Sequence, residues 1–293
     1  MIDLLITVCT SREFEVWKYS YKYIENNIDS KFYILAVPNK DISLFQSLEM
    51  RKFKVVDEDS YIGNLRDELK TRLPKEYFNM VGWYLQQFLK IKLAEASSCS
   101  SDGVVLIWDS DTLPLKKLKF FDSSSDIFYY YDGDEYHREY FVTIDALLGL
   151  EKLNNSSFIS QCIVFKKGWL LEMLSEIESK HNKNWESAVL NSINFEKKYA
   201  FSEYETLGTY IFSKYKNKMK FCDSTRWNRF GRRLLKGSLE SYPSLMSTLN
   251  QYDFIAYEKW DKKNWKDKLP TPILKLLIFA KQKILLTWRS IIA

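Results

Sequence analysis

The sequence predicts an α/β protein built on a mixed, mostly parallel Rossmann-like sheet flanked by helices, with an amphipathic helical extension at its C-terminal end. Three observations carry this. Strand-like apolar runs alternate with helix-periodic segments through the first third of the chain, which is the pattern of successive βα units. The connections between them are short, as crossovers within one sheet tend to be. The third is the apolar run Val104-Val105-Leu106-Ile107-Trp108, which ends abruptly in two carboxylates one residue apart, Asp109-Ser110-Asp111.

The elements follow in order. Residues 2–8 read as a first strand, with Thr7, Cys9, Thr10 and Ser11 forming a polar loop at its end. Residues 12–26 carry Phe14, Trp17, Tyr21 and Ile24 at helical spacing. A second strand at 32–37 is stopped by Pro38-Asn39, a short helix covers 42–48, and a third strand at 53–56 exits into Asp57-Glu58-Asp59. Residues 82–94 read as a helix whose stripe is Leu85, Phe88, Leu89 and Leu93, and it runs into the strand at 104–108. Further strands are expected at 126–131 and 158–165, and helices at about 168–179 and 184–194. A helix opening at Glu203 places acids in its first turn, where the helix dipole favours them. By this reading residues 1–235 form one domain and 236–293 a basic, aromatic extension.

Composition narrows the class. With 293 residues, 46% of them hydrophobic and 16% aromatic, the chain can bury a large core, and disorder is excluded. Four dispersed cysteines without a Cys-x-x-Cys pair, and only two histidines, argue against a zinc site and for a reducing compartment. The N-terminus opens on an apolar strand without the basic start and cleavage site of a signal peptide, so a cytoplasmic location is expected. Net charge is +5. Basic residues gather late, from Arg226, Arg229, Arg232 and Arg233 onward, which points to an anionic ligand or membrane surface. No recognisable nucleic-acid module accompanies them, so no nucleic-acid partner is expected.

The carboxylate pair carries the chemistry. Alternate side chains of an extended strand point the same way, so Asp109 and Asp111 can face one cleft while Ser110 faces away. Two hard oxygen donors at that spacing suit Mg²⁺ or Mn²⁺, which keep positions open for substrate phosphates. Asp-Ser-Asp is also ordinary turn chemistry.

Taken together, Gly82-Trp83-Tyr84-Leu85-Gln86-Gln87-Phe88-Leu89-Lys90, the Asp-Ser-Asp motif, Ser157-Phe158-Ile159-Ser160-Gln161 and Phe201-Ser202-Glu203-Tyr204-Glu205 resemble a group of bacterial glycosyltransferase-like proteins of the GT-A fold. Many of that group lie in surface-polysaccharide gene clusters, and the resemblance spans roughly 1–235. It implies an Asp-x-Asp site whose Mn²⁺ or Mg²⁺ bridges the diphosphate of a nucleotide sugar, UDP-linked by default. Asp111 would be the main metal ligand. Asp109 would contact the ribose or a metal-bound water, with Thr7, Cys9, Thr10 and Arg12 near the nucleotide. Ligands of open α/β sheets bind beyond the carboxyl ends of the strands, where Thr10 and Asp109 both fall.

The other candidates each carry two readings. Gln87 and Lys90 share a helix face and would reach the donor, or are helix surface. Glu203 is favoured over Glu205 as the base that takes a proton from the acceptor hydroxyl; Ser202 and Glu205 also fit a capping box. Gln161, polar in an apolar run, would contact the sugar or the acceptor, or face solvent. Arg226 and Arg229, with Arg232 and Arg233, could clamp a diphosphate or form a solvated loop. The resemblance implies a late histidine ligand, and none follows His181, so Asp223, Asn228 or water would stand in. Residues 272–293 form an amphipathic pattern that would lie on an anionic membrane at its cytoplasmic face, or dock on the protein or in a homodimer. The function expected is glycosyl transfer to a glycan or lipid-linked glycan acceptor. The competing readings are a non-catalytic binding or scaffolding protein and a nucleotidyltransferase.

Overall fold

The computed structural model describes residues 1–235, 239, 249–258, 261, 273 and 280. The first half runs β1 (Ile2–Val8), α1 (Phe14–Asn27), β2 (Ser30–Val37), α2 (Ile42–Gln46), β3 (Phe53–Asp57), α3 (Asp59–Ile62), α4 (Leu65–Arg72), α5 (Val81–Ala96), β4 (Val104–Trp108) and β5 (Thr112–Pro114). It continues through β6 (Phe121–Asp122), β7 (Ile127–Tyr131), α6 (Arg138–Leu148), β8 (Cys162–Lys166), α7 (Lys167–His181), α8 (Trp185–Ser192) and α9 (Glu203–Tyr215). Last come β9 (Met219–Cys222), β10 (Trp227–Asn228), α10 (Gly231–Leu234) and β11 (Phe254–Ala256).

The expected mixed α/β sheet flanked by helices is present. Five strands lie in the order β3-β2-β1-β4-β8. The first four are parallel and β8 runs antiparallel to β4, with Trp108 opposite Cys162. Strands covered on both faces need apolar side chains at every position. Leu5, Ile6, Val105, Leu106, Ile107 and Trp108 meet that need and are almost wholly buried. Strand order reverses between β1 and β4, which opens a crevice at their carboxyl ends, the place where open α/β sheets bind ligands.

Two small sheets accompany the large one. One has the order β6-β7-β9 and the other β10-β11-β5. In the second, Ala256 pairs with Thr112, so β11 is laid antiparallel against the strand that follows the acidic turn. A separate apolar cluster of Val16, Leu113, Phe230, Leu234, Ile255 and Tyr257 fastens this sheet to α1. Residues 254–258, assigned from sequence to the C-terminal extension, therefore reach the crevice.

Two local expectations differ from the structure. The strand expected over 158–165 begins only at Cys162, and Gln161 just before it adopts left-handed backbone at φ 69°. Phe158 accounts for this. Its ring lies on α9 at Gly208, where any Cβ would collide with it, and Glu205 on the same helix accepts from the Ser157 hydroxyl and the Phe158 N–H, so this segment is tied to α9 rather than to the sheet. The carboxylates Asp109 and Asp111 stand in a turn after β4, not in an extended strand. Helices α3, α4 and α6 had no counterpart in the sequence reading. The amphipathic pattern at 272–293 lies outside the described residues except for 273 and 280. Among the described residues no helix is long and apolar enough to cross a membrane.

Candidate active site

The crevice opens into a cavity of about 1360 Å³. Asp109 and Asp111 stand on its wall, and their turn is held from three sides. Gln161 accepts from the Asp109 N–H (2.9 Å), Ser20 on α1 donates its hydroxyl to the Ser110 carbonyl (2.7 Å), and the Tyr257 N–H donates to the Asp111 carbonyl (2.7 Å). The main chain between the carboxylates thus has little freedom to rearrange, which pre-organises them for a ligand.

Behind them lies Lys90. Its ammonium is 2.6 Å from Asp109 Oδ1 and 2.7 Å from Glu203 Oε1, and the ring of Tyr204 covers it at 4.4 Å. Tyr204 also donates its hydroxyl to Asp109 Oδ1 (2.7 Å). Burial works against the Lys90 charge, but Asp109 and Glu203 outweigh it and hold the ammonium above its ordinary pKa. Burial raises the Glu203 carboxyl, with Lys90 opposing and Asp109 adding to the rise. One buried cation on α5 is thereby shared by two carboxylates from separate parts of the chain, one in the turn after β4 and one at the start of α9. Gln87 does not point to solvent: its carbonyl oxygen accepts from the Glu203 N–H (3.2 Å), fixing the start of α9.

Charge around Asp111 is not balanced in this way. Burial, Asp109 and Glu13 push its carboxyl up to about 7. Burial also raises Glu258 well above the ordinary range, with Asp111 and Asp109 adding to it. Carboxylates of like charge gathered at one wall favour a cation there. Asp109 Oδ1 is taken by Lys90 and Tyr204, which leaves its second oxygen for a ligand. Among the described residues no three His, Cys, Asp or Glu side chains are grouped so as to enclose a metal ion. Mg²⁺ does not need such a cage, because it binds through one or two carboxylates together with substrate phosphates and water. Asp109 and Asp111 could hold it in that manner.

The remaining sequence candidates divide. Cys9, Thr10, Arg12, Gln87, Lys90, Gln161, Glu203 and Arg229 all line the cavity. Burial raises the Cys9 thiol far above its usual range, so it serves as packing. Thr7 is fully buried within β1 and stands behind the wall. Glu205 also lies away from the cavity. Ser202 caps α9 by accepting from the Glu205 N–H, but the Glu205 side chain does not close a capping box. It turns instead to the Ser157 hydroxyl and the Phe158 N–H (3.2 Å), and burial pushes it up to about 7.

The expected arginine clamp is not assembled. Arg229 faces the cavity and pairs with Asp134 (3.0 Å) and Glu135 (3.2 Å). Arg226 pairs with the buried Asp253 (2.6 Å), and Arg233 with Asp261 (2.5 Å), so both brace the returning chain. Asp223 caps a 3-10 turn, and Asn228 is spent on Phe230 and Tyr252. Neither replaces the absent histidine. The acid that does approach the carboxylate pair is Glu258, whose sequence signal is an apolar run ending in an acid, Phe254-Ile255-Ala256-Tyr257-Glu258, as at β4. Tyr204 was equally unmarked, although it lies between the two glutamates singled out.

Residues 15–264 match a family of unknown function (DUF6492). No curated protein matches the sequence. Among solved structures the chain is similar to a galactosyltransferase, LgtC, in complex with donor and acceptor sugar analogues, with 12% identity, a TM-score of 0.45 and coverage of 94% of this chain and 95% of that one. It is also similar to mouse xyloside xylosyltransferase 1 in its apo form, with 10% identity, a TM-score of 0.46 and coverage of 92% and 100%. A third is the bifunctional glycosyltransferase WbbM, with 12% identity and a TM-score of 0.46, of which this chain covers 46% while 90% of its own length is matched. Likeness at these values concerns the general path of the chain.

Proposed function

The chain belongs to the family of unknown function DUF6492, and we propose that it is a metal-dependent glycosyltransferase of GT-A type. One observation carries the reading: Asp109 and Asp111 are fixed side by side at the sheet's switch point, facing a cavity large enough for a nucleotide sugar and an acceptor. The sequence motifs that resemble GT-A glycosyltransferases supply the reaction class. UDP is the nucleotide proposed, and the acceptor a bacterial surface glycan, free or lipid-linked.

Asp111 and the free oxygen of Asp109 would hold Mn²⁺ or Mg²⁺. Bound there, the cation would neutralise charge developing on the departing nucleoside diphosphate. Arg12, at the mouth beside the β1 loop, is the sequence-marked cation proposed for the diphosphate, with Lys40 and Arg66 lining the same cavity and Arg229 held by Asp134 and Glu135. Glu203 is the proposed base, because it lines the cavity beside Asp109 and burial raises its proton affinity. As the acceptor oxygen bonds the anomeric carbon, the bond to the diphosphate breaks. The hydroxyl proton passes to Glu203, and configuration inverts. Lys90 holds Asp109 and Glu203 at a fixed separation through both states. Glu205 has no part in the chemistry.

The test is release of nucleoside diphosphate from a panel of nucleotide sugars in the presence of Mn²⁺. Release should require the metal and fall at least a hundredfold in Asp111→Asn, with the far-ultraviolet circular dichroism unchanged. Equal release in chelator, or from Asp111→Asn, would sink the metal assignment. Diphosphate formed from a nucleoside triphosphate would identify a nucleotidyltransferase instead.

A further inference from the structure

Away from the carboxylates, the same cavity has a wall of a different kind. Trp83 stands in the first turn of α5, seven residues before Lys90, which places it about 10 Å along the helix from the Lys90–Asp109 pair. The ring of Tyr199 meets it edge-on at 5.4 Å, and His137 lies against Tyr199 at 4.8 Å with a 31° tilt. All three line the cavity.

Tyr199 is out of place by ordinary folding criteria. It is 40% exposed, and its backbone is left-handed at φ 54°, a conformation that disfavours a bulky side chain. An exposed tyrosine in the left-handed region does not serve the core. Backbone outliers of this type cluster where a ligand is held. Here the outlier sits four residues before Glu203, on the segment that leads into α9.

The chemistry of the wall selects its ligand. Aromatic faces carry partial negative charge and attract the polarised C–H bonds of a neighbouring molecule. Groups that hydrogen-bond accompany the rings: Glu135, whose carboxylate is 3.3 Å from His137 Nε2, and elsewhere in the lining of the same cavity Gln86 and Asn79. A lipid chain would offer those groups nothing to hydrogen-bond, which is unfavourable where it covers them. A pyranose offers both an apolar C–H face and a rim of hydroxyls. We propose that Trp83, Tyr199 and His137 form a sugar-stacking wall that binds the acceptor glycan, one or two sugar units from the carboxylate pair. Its designation as the acceptor subsite rests on the glycosyl-transfer reading; its affinity for sugar does not.

The experiment separates the two. Binding of lactose, maltose, cellobiose and chitobiose to the full chain is measured by saturation-transfer NMR, and binding of UDP with Mn²⁺ by calorimetry. At least one disaccharide should bind the wild type. Trp83→Leu and Tyr199→Gly should each weaken it tenfold or more, with UDP·Mn²⁺ affinity within twofold of wild type. Tyr199→Gly is the decisive variant, because glycine accepts the left-handed backbone and should keep or raise the melting temperature while removing the ring. Sugar binding that survives both substitutions overturns the proposal, as does a wild type that binds no disaccharide. A drop in UDP affinity in the wall variants would also overturn it, by making the wall a platform for the base. Wall-dependent sugar binding without any UDP·Mn²⁺ binding would sustain the wall and defeat the glycosyl-transfer reading.

Discussion

The ammonium of Lys90 lies 2.6 Å from Asp109 Oδ1, so the helix before the acidic strand holds one member of the acidic pair. The same ammonium holds Glu203 at 2.7 Å, and both of those side chains are almost wholly buried. Removing one partner of a buried ion pair leaves an uncompensated charge, which typically costs about 3–5 kcal/mol. Lys90→Met should therefore lower unfolding free energy by about that amount in urea titrations at pH 8. Adding Glu203→Gln should restore much of the loss, since the stranded charge on α9 is then gone, without restoring turnover. If the single and double variants unfold at the same urea concentration, Lys90 is not the counter-ion of Glu203.

What the sequence disclosed depends on how local the cause was. Strands β1 to β4 were legible because each is a continuous apolar run, and burial on both faces leaves little else for it to be. The Asp109–Asp111 pair was visible for the same reason, as an interruption of such a run. Lys90 and Gln87 were marked as one helix face, but that the face turns inward depends on α9 packing against α5, a contact between residues over a hundred positions apart. Glu258 was legible as an acid ending an apolar run, but its place in the site was not. Nothing near it in sequence announces that β11 pairs with β5 and carries it back to Asp111. Gln161 failed differently: alternation placed it in a strand, whereas the strand begins only at Cys162 and the preceding segment is tied to α9 at Gly208 and Glu205.

Glu205 should leave a signature in the pH dependence of stability. Its ordinary pKa of 4.5 is pushed up to about 7 in the folded protein, chiefly by burial. A group that binds its proton more tightly when folded stabilises the fold fully below the unfolded pKa, and that contribution is lost as pH rises through the folded one. Between pH 4.5 and about 7, then, this site makes the protein less stable as pH increases, and above that range the effect is flat. Glutamine cannot ionise, and its carbonyl can still accept from Phe158 and Ser157. Relative to wild type, Glu205→Gln should gain on the order of 3 kcal/mol of stability between pH 4 and pH 8. Denaturant midpoints of the two proteins that run parallel across that range would refute the assignment.

Gly208 provides a test of how α9 is seated. In an open helix, alanine in place of glycine would stabilise by about 1 kcal/mol, because glycine loses more backbone freedom on folding. Here a Cβ would meet the body of the Phe158 ring, not the end of a flexible chain, so either the ring or the helix must move. Forcing extra atoms into a packed interior typically costs about 1–3 kcal/mol, which outweighs the propensity gain. Gly208→Ala should therefore be destabilising in thermal or chemical denaturation. Displacing Phe158 would also disturb its N–H bond to Glu205, three residues before the glycine. The collision predicts a specific rescue: Phe158→Leu, which shortens the side chain, should reverse part of the loss when combined with Gly208→Ala, though it weakens the wild type alone. Strictly additive effects in that double-mutant cycle would mean that the ring and the helix are not in contact.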